Sequence, residues 1–103
     1  MFKDDNIYES VANWWADKIR ETTPVSEGKI NMFKKSLADS TQKVFSAKGC
    51  LTLAIKPNSI LTKCLVEAYI PFNPFLVQDE MKLTPHMITV YDQHGNLKSC
   101  HSI

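Results

Sequence analysis

The chain has 103 residues, of which 44% are hydrophobic and 22% are charged. This is ordinary globular composition, far from that of disordered chains, and the length predicts a single domain over residues 1–103. Twelve Lys and Arg residues against eleven Asp and Glu residues leave a net charge of +1, so neither polyanion binding nor mimicry of nucleic acid by an acidic surface follows from composition.

Cysteine usage and the N-terminal residues both favour the cytoplasm. Cys50, Cys64 and Cys100 are an odd set at wide spacings, which makes a poor disulfide framework and suits a reducing compartment. The opening residues contain no apolar signal segment, and no apolar run approaches the roughly 20 residues that span a bilayer. We therefore expect free thiols in a soluble cytoplasmic protein that has no contact with a membrane.

Two adjacent tryptophans lie in the first predicted helix, which covers residues 5–20 and has Asp4 or Asp5 as its N-cap. Consecutive helix positions differ by about 100°, so a narrow buried stripe cannot hold both Trp14 and Trp15. The row that contains Trp14 ends in Lys18, whereas the row that contains Trp15 stays apolar. Trp15 is therefore predicted to be buried, and Trp14 to lie at the margin of the core, where it can meet a partner.

The second predicted helix follows a proline break. Pro24 disfavours helical geometry in the residue before it, Ser26 is the expected N-terminus, and the helix runs to about residue 47 with Gly49 as its stop. Its predicted core face comprises Ile30, Phe33, Leu37, Val44 and Phe45. The short link predicts that the two helices form an antiparallel pair.

The apolar period then changes from helical to alternating. Residues 51–55 predict a strand, and residues 60–68 predict a short helix capped by Asn58 or Ser59. After a connector, the C-terminal third predicts a short strand at residues 81–83 and a hairpin that pairs residues 87–91 with residues 97–101. The order α-α-β-α-β-β-β predicts an α+β fold, with the N-terminal helix pair packed on a small, mainly antiparallel sheet.

The connector of residues 69–75 is the second candidate binding segment. It contains two prolines and three aromatic residues, Tyr69, Phe72 and Phe75, and is predicted to be extended and irregular. Two interpretations stay open. The phenylalanines close the open end of the core, or the aromatic side chains contact a partner.

No metal, cofactor or catalytic signature stands out. The three cysteines with His86, His94 and His101 lack the paired spacing of structural zinc sites, and Cys100 and His101 are predicted on opposite faces of a strand. Asp79 and Glu80 are interpreted as a polar loop before a strand. Glu27 and Asp39 are interspersed among the lysines of the second helix, which favours a solvated helix face over direct nucleic-acid binding. We predict no enzyme activity, metal or cofactor.

Residues 12–19, Ala-Asn-Trp-Trp-Ala-Asp-Lys-Ile, resemble the opening of a group of small proteins of Firmicutes phages and mobile elements. That group has a Trp-Trp-Ala-Asp-Lys helix, a second amphipathic helix, a strand, and a short helix that leads into an aromatic turn with proline. The matching parts here include residues 14–18, 51–55 and 68–71. The link between the first helices is shorter in this chain, and its C-terminal turn holds fewer glycines. The resemblance implies an anti-defence protein that occludes a host complex, as anti-CRISPR proteins do.

The leading hypothesis is a non-enzymatic inhibitor that binds a host effector protein. Its candidate partner-binding residues are Trp14, Lys18, Tyr69, Phe72 and Phe75. The first alternative is a protein that binds or sequesters a small nucleotide signal, for instance as a homodimer that holds the signal between its subunits with Trp14 stacked on the base. The second alternative is a small enzyme that uses Cys100 or a histidine.

Overall fold

The computed structural model describes residues 7–56, 59–71 and 78–102. The helices are α1 Ile7–Thr22, α2 Glu27–Lys48 and α3 Ile60–Glu67, and the strands are β1 Leu51–Leu53, β2 Glu80–Leu83, β3 Met87–Tyr91 and β4 Leu97–Ser102. Their order confirms the predicted α+β fold. The caps predicted at Asp4, Asp5 and Asn58 lie outside the described residues. Within the described ranges, no helix combines the length and the apolar character that crossing a bilayer requires.

The first two helices form the predicted antiparallel pair. At one end, the rings of Tyr8 in α1 and Phe45 in α2 meet edge-on, with centroids 6.1 Å apart. At the other end, Arg20 Nη2 lies 2.9 Å from Glu27 Oε2. Gly49 ends α2 as predicted, because its φ of 76° is left-handed and its N–H donates to the Phe45 carbonyl.

The second helix, α2, packs between the other two. Phe45 contacts α1, whereas Ser36 Oγ donates a 2.6 Å hydrogen bond to Glu67 Oε2 of α3. The step from Ser36 to Phe45 corresponds to a rotation of about 900°, or two and a half turns, so these two side chains point to opposite sides of α2. The helices α1 and α3 therefore lie on opposite sides of α2.

The four strands form an antiparallel sheet in the order β1-β2-β3-β4. Two cross-strand rows face the helices: Leu51, Leu83, Ile88 and His101, and Leu53, Met81, Val90 and Ser99. The alternate row on the other face is Thr52, Lys82, Thr89 and Cys100. Most of its members are exposed, so the helices cover one face of the sheet, as predicted.

One hydrophobic cluster joins the helices to the covered face of the sheet. Trp15 and Phe33 are its largest side chains, and neither has any exposed surface. Val44 and Phe45, which were predicted in the core face of α2, are only half-buried. Both follow Thr41, the last buried residue of that helix, so the core ends one turn earlier than the apolar pattern does.

The first strand is shorter than the sequence predicts. It ends at Leu53 rather than at residue 55, because the chain turns at the next residues. The Lys56 N–H donates to the Ala54 carbonyl at 3.1 Å, and Thr62 Oγ1 donates to the Lys56 carbonyl at 2.6 Å. These bonds draw the chain away from the sheet and toward α3, whose N-cap is Ser59 as predicted.

Candidate interaction surfaces

The two tryptophans divide between core and surface as predicted. Trp15 has no exposed surface, whereas Trp14 is half-buried and packs against the core from its margin. Their rings meet edge to face, with centroids 4.9 Å apart and planes at 78°. The indole Nε1 of Trp15 is buried and has no hydrogen-bond partner in the described part of the chain.

Trp14 and Lys18 lie together on the flank of α1 that faces away from α2. Trp14 is about 120° around the helix from Tyr8, which contacts α2. The Lys18 Nζ lies 5.2 Å from the centroid of the Trp14 ring, within cation–π range. We call this pair the α1 flank. It presents a half-buried indole beside the ammonium group of Lys18, a residue that is itself half-buried.

Tyr69 is held in a conformation that its residue type disfavours. It follows α3 with a φ of 57°, in the left-handed region, where Cβ crowds the following carbonyl oxygen. Its N–H donates to the Val66 carbonyl, and the Ile70 N–H donates to the Leu65 carbonyl, both at 3.0 Å. These two bonds form a Schellman motif, in which glycine is the usual residue at this position.

The backbone of Tyr69 carries its ring into solvent. The residue is 75% exposed, and Val66, one turn earlier, is 68% exposed. We call these two residues the α3 tip. Phe72 and Phe75, the other predicted binding residues of the connector, lie outside the described residues. The α1 flank and the α3 tip are not adjacent, because α2 separates their helices.

A polar network links α2 and α3. Ser36 Oγ lies 3.4 Å from Cys64 Sγ as well as 2.6 Å from Glu67 Oε2. Burial raises the pKa of the Cys64 thiol, and hydrogen bonds with Ser36 and Ser40 oppose that rise. The thiol is therefore held in its protonated form, which is a poor nucleophile.

Beside this network lies a groove of about 210 Å³, the α2–α3 groove. It is lined by Ser40, Lys43, Val44, Ile60, Lys63 and Glu67. Sequence reasoning missed it because Lys43 and Lys63 are far apart in the chain and converge only when α2 packs on α3. One signal was available, since residues 40–66 contain four lysines and no acidic residue.

A larger cleft, of about 630 Å³, lies at the hairpin end of the sheet. It is lined by Ala54, Ile55, Lys56, Gln78, Asp79, Glu80, Lys82, Tyr91, Asp92, Gln93 and Gly95. Lys82 Nζ lies 5.3 Å from the centroid of the Tyr91 ring. We call this region the sheet-end cleft. The sequence predicted a polar loop at Asp79 and Glu80, but Glu80 is the first residue of β2.

Hydrogen bonds and an ion pair occupy two carboxylates of the sheet-end cleft. Val90 and Tyr91 pair with residues 99 and 97 of β4, so Lys98 lies in a bulge and has no paired residue in β3. Its Nζ lies 3.0 Å from Asp79 Oδ2 and forms an ion pair with it. Asp92 Oδ1 accepts the N–H groups of Asn96 at 3.0 Å and of His94 at 2.8 Å. These bonds, that to Asn96 first, lower the pKa of Asp92.

The cysteines and histidines are dispersed in the described part of the chain. Cys50, Cys64 and Cys100 are free thiols, and Cys100 and His101 lie on opposite faces of the sheet, as predicted. No group of three His, Cys, Asp or Glu side chains within residues 7–56, 59–71 and 78–102 is placed to hold a metal ion.

No known protein family matches this chain in sequence, and no curated protein is significantly similar to it. The resemblance to phage proteins, carried by the Trp-Trp run, therefore stays a prediction. The half-buried indole of the α1 flank and the exposed tyrosine ring of the α3 tip are the aromatic groups that a partner can contact.

Proposed function

We propose that this chain is a non-enzymatic interaction protein that inhibits a host effector by binding it, in the manner of anti-CRISPR proteins. The observation that carries the proposal is Tyr69, a large aromatic residue that is 75% exposed on a left-handed backbone. Bulky residues are rare in this conformation, and rare backbone conformations cluster at binding and active sites.

The balance of energies supports a role for the Tyr69 ring outside the monomer. The left-handed conformation costs an L-residue about 1–2 kcal/mol, a cost that glycine avoids. A quarter of the residue is buried, which offsets about 1 kcal/mol at most. The fold therefore gains little from tyrosine here. A partner gains more, because tyrosine offers a large, rigid contact area at low entropic cost and is enriched at binding hot spots.

The α1 flank supplies a second aromatic anchor. A half-buried indole with an ammonium group 5.2 Å from its centroid offers both apolar area and a charge to a partner. The exposed cation–π contact itself is worth only about 0.5–1 kcal/mol, so Lys18 can exchange it for a carboxylate of the partner. This pairing is consistent with a protein partner.

Capture from a bacterial lysate tests the proposal. Wild-type protein and the variants Tyr69→Phe and Tyr69→Asn are immobilised, and retained proteins are identified by mass spectrometry. Asparagine tolerates the left-handed backbone but lacks the ring, whereas phenylalanine keeps the ring. We expect the same host protein on wild type and Tyr69→Phe, and its loss on Tyr69→Asn. Retention of no host protein by the wild type would refute the proposal.

A parallel pair of variants tests the α1 flank. Trp14→Ala removes the indole, and Asn13→Ala changes an exposed neighbour that faces away from the core. We expect Trp14→Ala to lower capture and Asn13→Ala to leave it unchanged, with thermal unfolding confirming that both variants are folded. Equal capture by the two variants would exclude the α1 flank from the interface.

The second candidate function is binding of a small nucleotide signal. The sheet-end cleft favours it, because its volume of about 630 Å³ lies in the range of small-molecule sites. Its charged lining and occupied carboxylates differ from the mostly apolar lining of such sites, so this function ranks second. A bound nucleotide at about 100 times its Kd would add about 2.7 kcal/mol of stability. Thermal unfolding with a panel of mono-, di- and cyclic nucleotides measures that gain in stability as a rise in Tm.

A further inference from the structure

Charge is distributed unevenly along the chain, and the net value of +1 hides this. Residues 40–66 contain Lys43, Lys48, Lys56 and Lys63 and no Asp or Glu, whereas the rest of the chain carries eight basic and eleven acidic residues. The segment runs from the C-terminal half of α2 through β1 to Val66, one residue before α3 ends at Glu67. This part of the molecule is therefore strongly positive, and the remainder is negative.

The fold concentrates two of these charges at one place. Lys43 of α2 and Lys63 of α3 both line the α2–α3 groove, and neither forms an ion pair within the described residues. The carboxylate of the groove, Glu67, already accepts a 2.6 Å hydrogen bond from Ser36. The two ammonium groups outnumber the single Glu67 carboxylate, so the groove keeps an excess of positive charge that attracts an acidic group of a partner.

The surroundings of the two lysines add apolar and polar contacts. Val44 and Ile60 line the same groove, and Ile60 packs against the hydrophobic core, which fixes its position. Ser40 supplies a hydroxyl at the groove. A volume of about 210 Å³ corresponds to about seven water molecules, which is room for an aliphatic side chain but not for an extended polymer.

We propose that the α2–α3 groove binds an acidic segment of the partner protein, in which an aliphatic side chain enters the groove and neighbouring carboxylates meet Lys43 and Lys63. The inference rests on the proposed function, since it names the chemistry of that partner. Single-stranded nucleic acid fits less well. Among the described residues that line the groove there is no aromatic side chain for base stacking and no arginine for the phosphates.

Nuclear magnetic resonance titration with two defined probes tests this proposal without the partner. One probe is the synthetic peptide Glu-Leu-Glu-Glu-Leu-Glu, and the other is a single-stranded DNA oligonucleotide. We expect the peptide to shift the amide signals of Ser40, Lys43 and Lys63 at millimolar concentration. The double variant K43Q/K63Q should weaken peptide binding about tenfold, because each exposed ion pair contributes up to about a factor of five.

Lys35→Gln is the matched control, because Lys35 is an exposed lysine of α2 outside the groove. This variant should bind the peptide within about a factor of two of wild type. Shifts elsewhere than the groove, equal binding by K43Q/K63Q and wild type, or tighter binding of the oligonucleotide would each overturn the proposal. The titration uses no host protein, so its failure is distinguishable from failure of the lysate capture.

Discussion

Replacing Tyr69 by glycine and, separately, by alanine tests the backbone conformation on which the functional proposal depends. Both variants remove the ring, so the stability lost with the burial of that ring is the same in both and cancels in the comparison. What remains is the difference between an L-residue and glycine at a φ of 57°. The comparison therefore isolates the energy of the backbone from the contacts of the side chain.

The expected difference in unfolding free energy between the glycine and alanine variants has the opposite sign from the difference in a helix or strand. In a helix or a strand, alanine is more stable than glycine by about 0.5–1 kcal/mol because glycine loses more entropy on folding. At Tyr69 the left-handed backbone costs alanine about 1–2 kcal/mol and costs glycine nothing. The sum predicts that Tyr69→Gly is more stable than Tyr69→Ala by about 0.5–1 kcal/mol.

Urea unfolding followed by tryptophan fluorescence measures this difference. The two variants should share one m-value, so that the free energy difference appears as a shift of the midpoint. In a domain of this size it also appears as a difference in Tm of about 2–8 °C. If Tyr69→Ala proves as stable as Tyr69→Gly or more stable, the left-handed assignment and the strain argument are both wrong.

Three further changes test the core and the hairpin. Thr41→Val should stabilise the fold by about 1 kcal/mol in urea unfolding, because the buried Thr41 hydroxyl has no hydrogen-bond partner in the described chain; a loss of stability would contradict this. Trp15→Ala should cost about 3–5 kcal/mol, clearly more than Trp14→Ala, and equal costs would contradict the assigned burial. The pKa of Asp92 is lowered from 3.8 in the folded state, so its contribution to stability is present above pH 3.8 and is lost as pH falls through the lower folded value. Between about pH 5 and pH 2, Tm should therefore fall more steeply for wild type than for Asp92→Asn, and parallel profiles would refute the assignment.

The order of elements was predictable because each element carries its own local signal. The 3.6-residue period marks α1 and α2, Gly49 marks a helix end, and alternation with polar turn residues marks the β3–β4 hairpin. The burial of Trp15 followed from the same helical projection, since Lys18 interrupts the row of its neighbour. These features depend on residues close together in the chain.

Features that depend on distant residues were not predictable in this way. The α2–α3 groove exists only because Lys43 and Lys63 converge across two helices. The early end of β1 depends on a hydrogen bond from Thr62, which lies in the next helix. Tyr69 is different, because its sequence signal is local but misleading. Its residue type indicates an extended connector. The two Schellman hydrogen bonds, followed by Pro71, make it the left-handed end of a helix instead.

The central claim is that Tyr69 of the α3 tip binds a protein partner. The most direct test measures the affinity of the purified partner for three proteins. Isothermal titration calorimetry would compare wild type, Tyr69→Phe and Tyr69→Asn. A hot-spot residue contributes 2 kcal/mol or more, so we expect Kd to rise at least about 30-fold for Tyr69→Asn and to stay near the wild-type value for Tyr69→Phe. Equal Kd values for Tyr69→Asn and wild type would contradict the account.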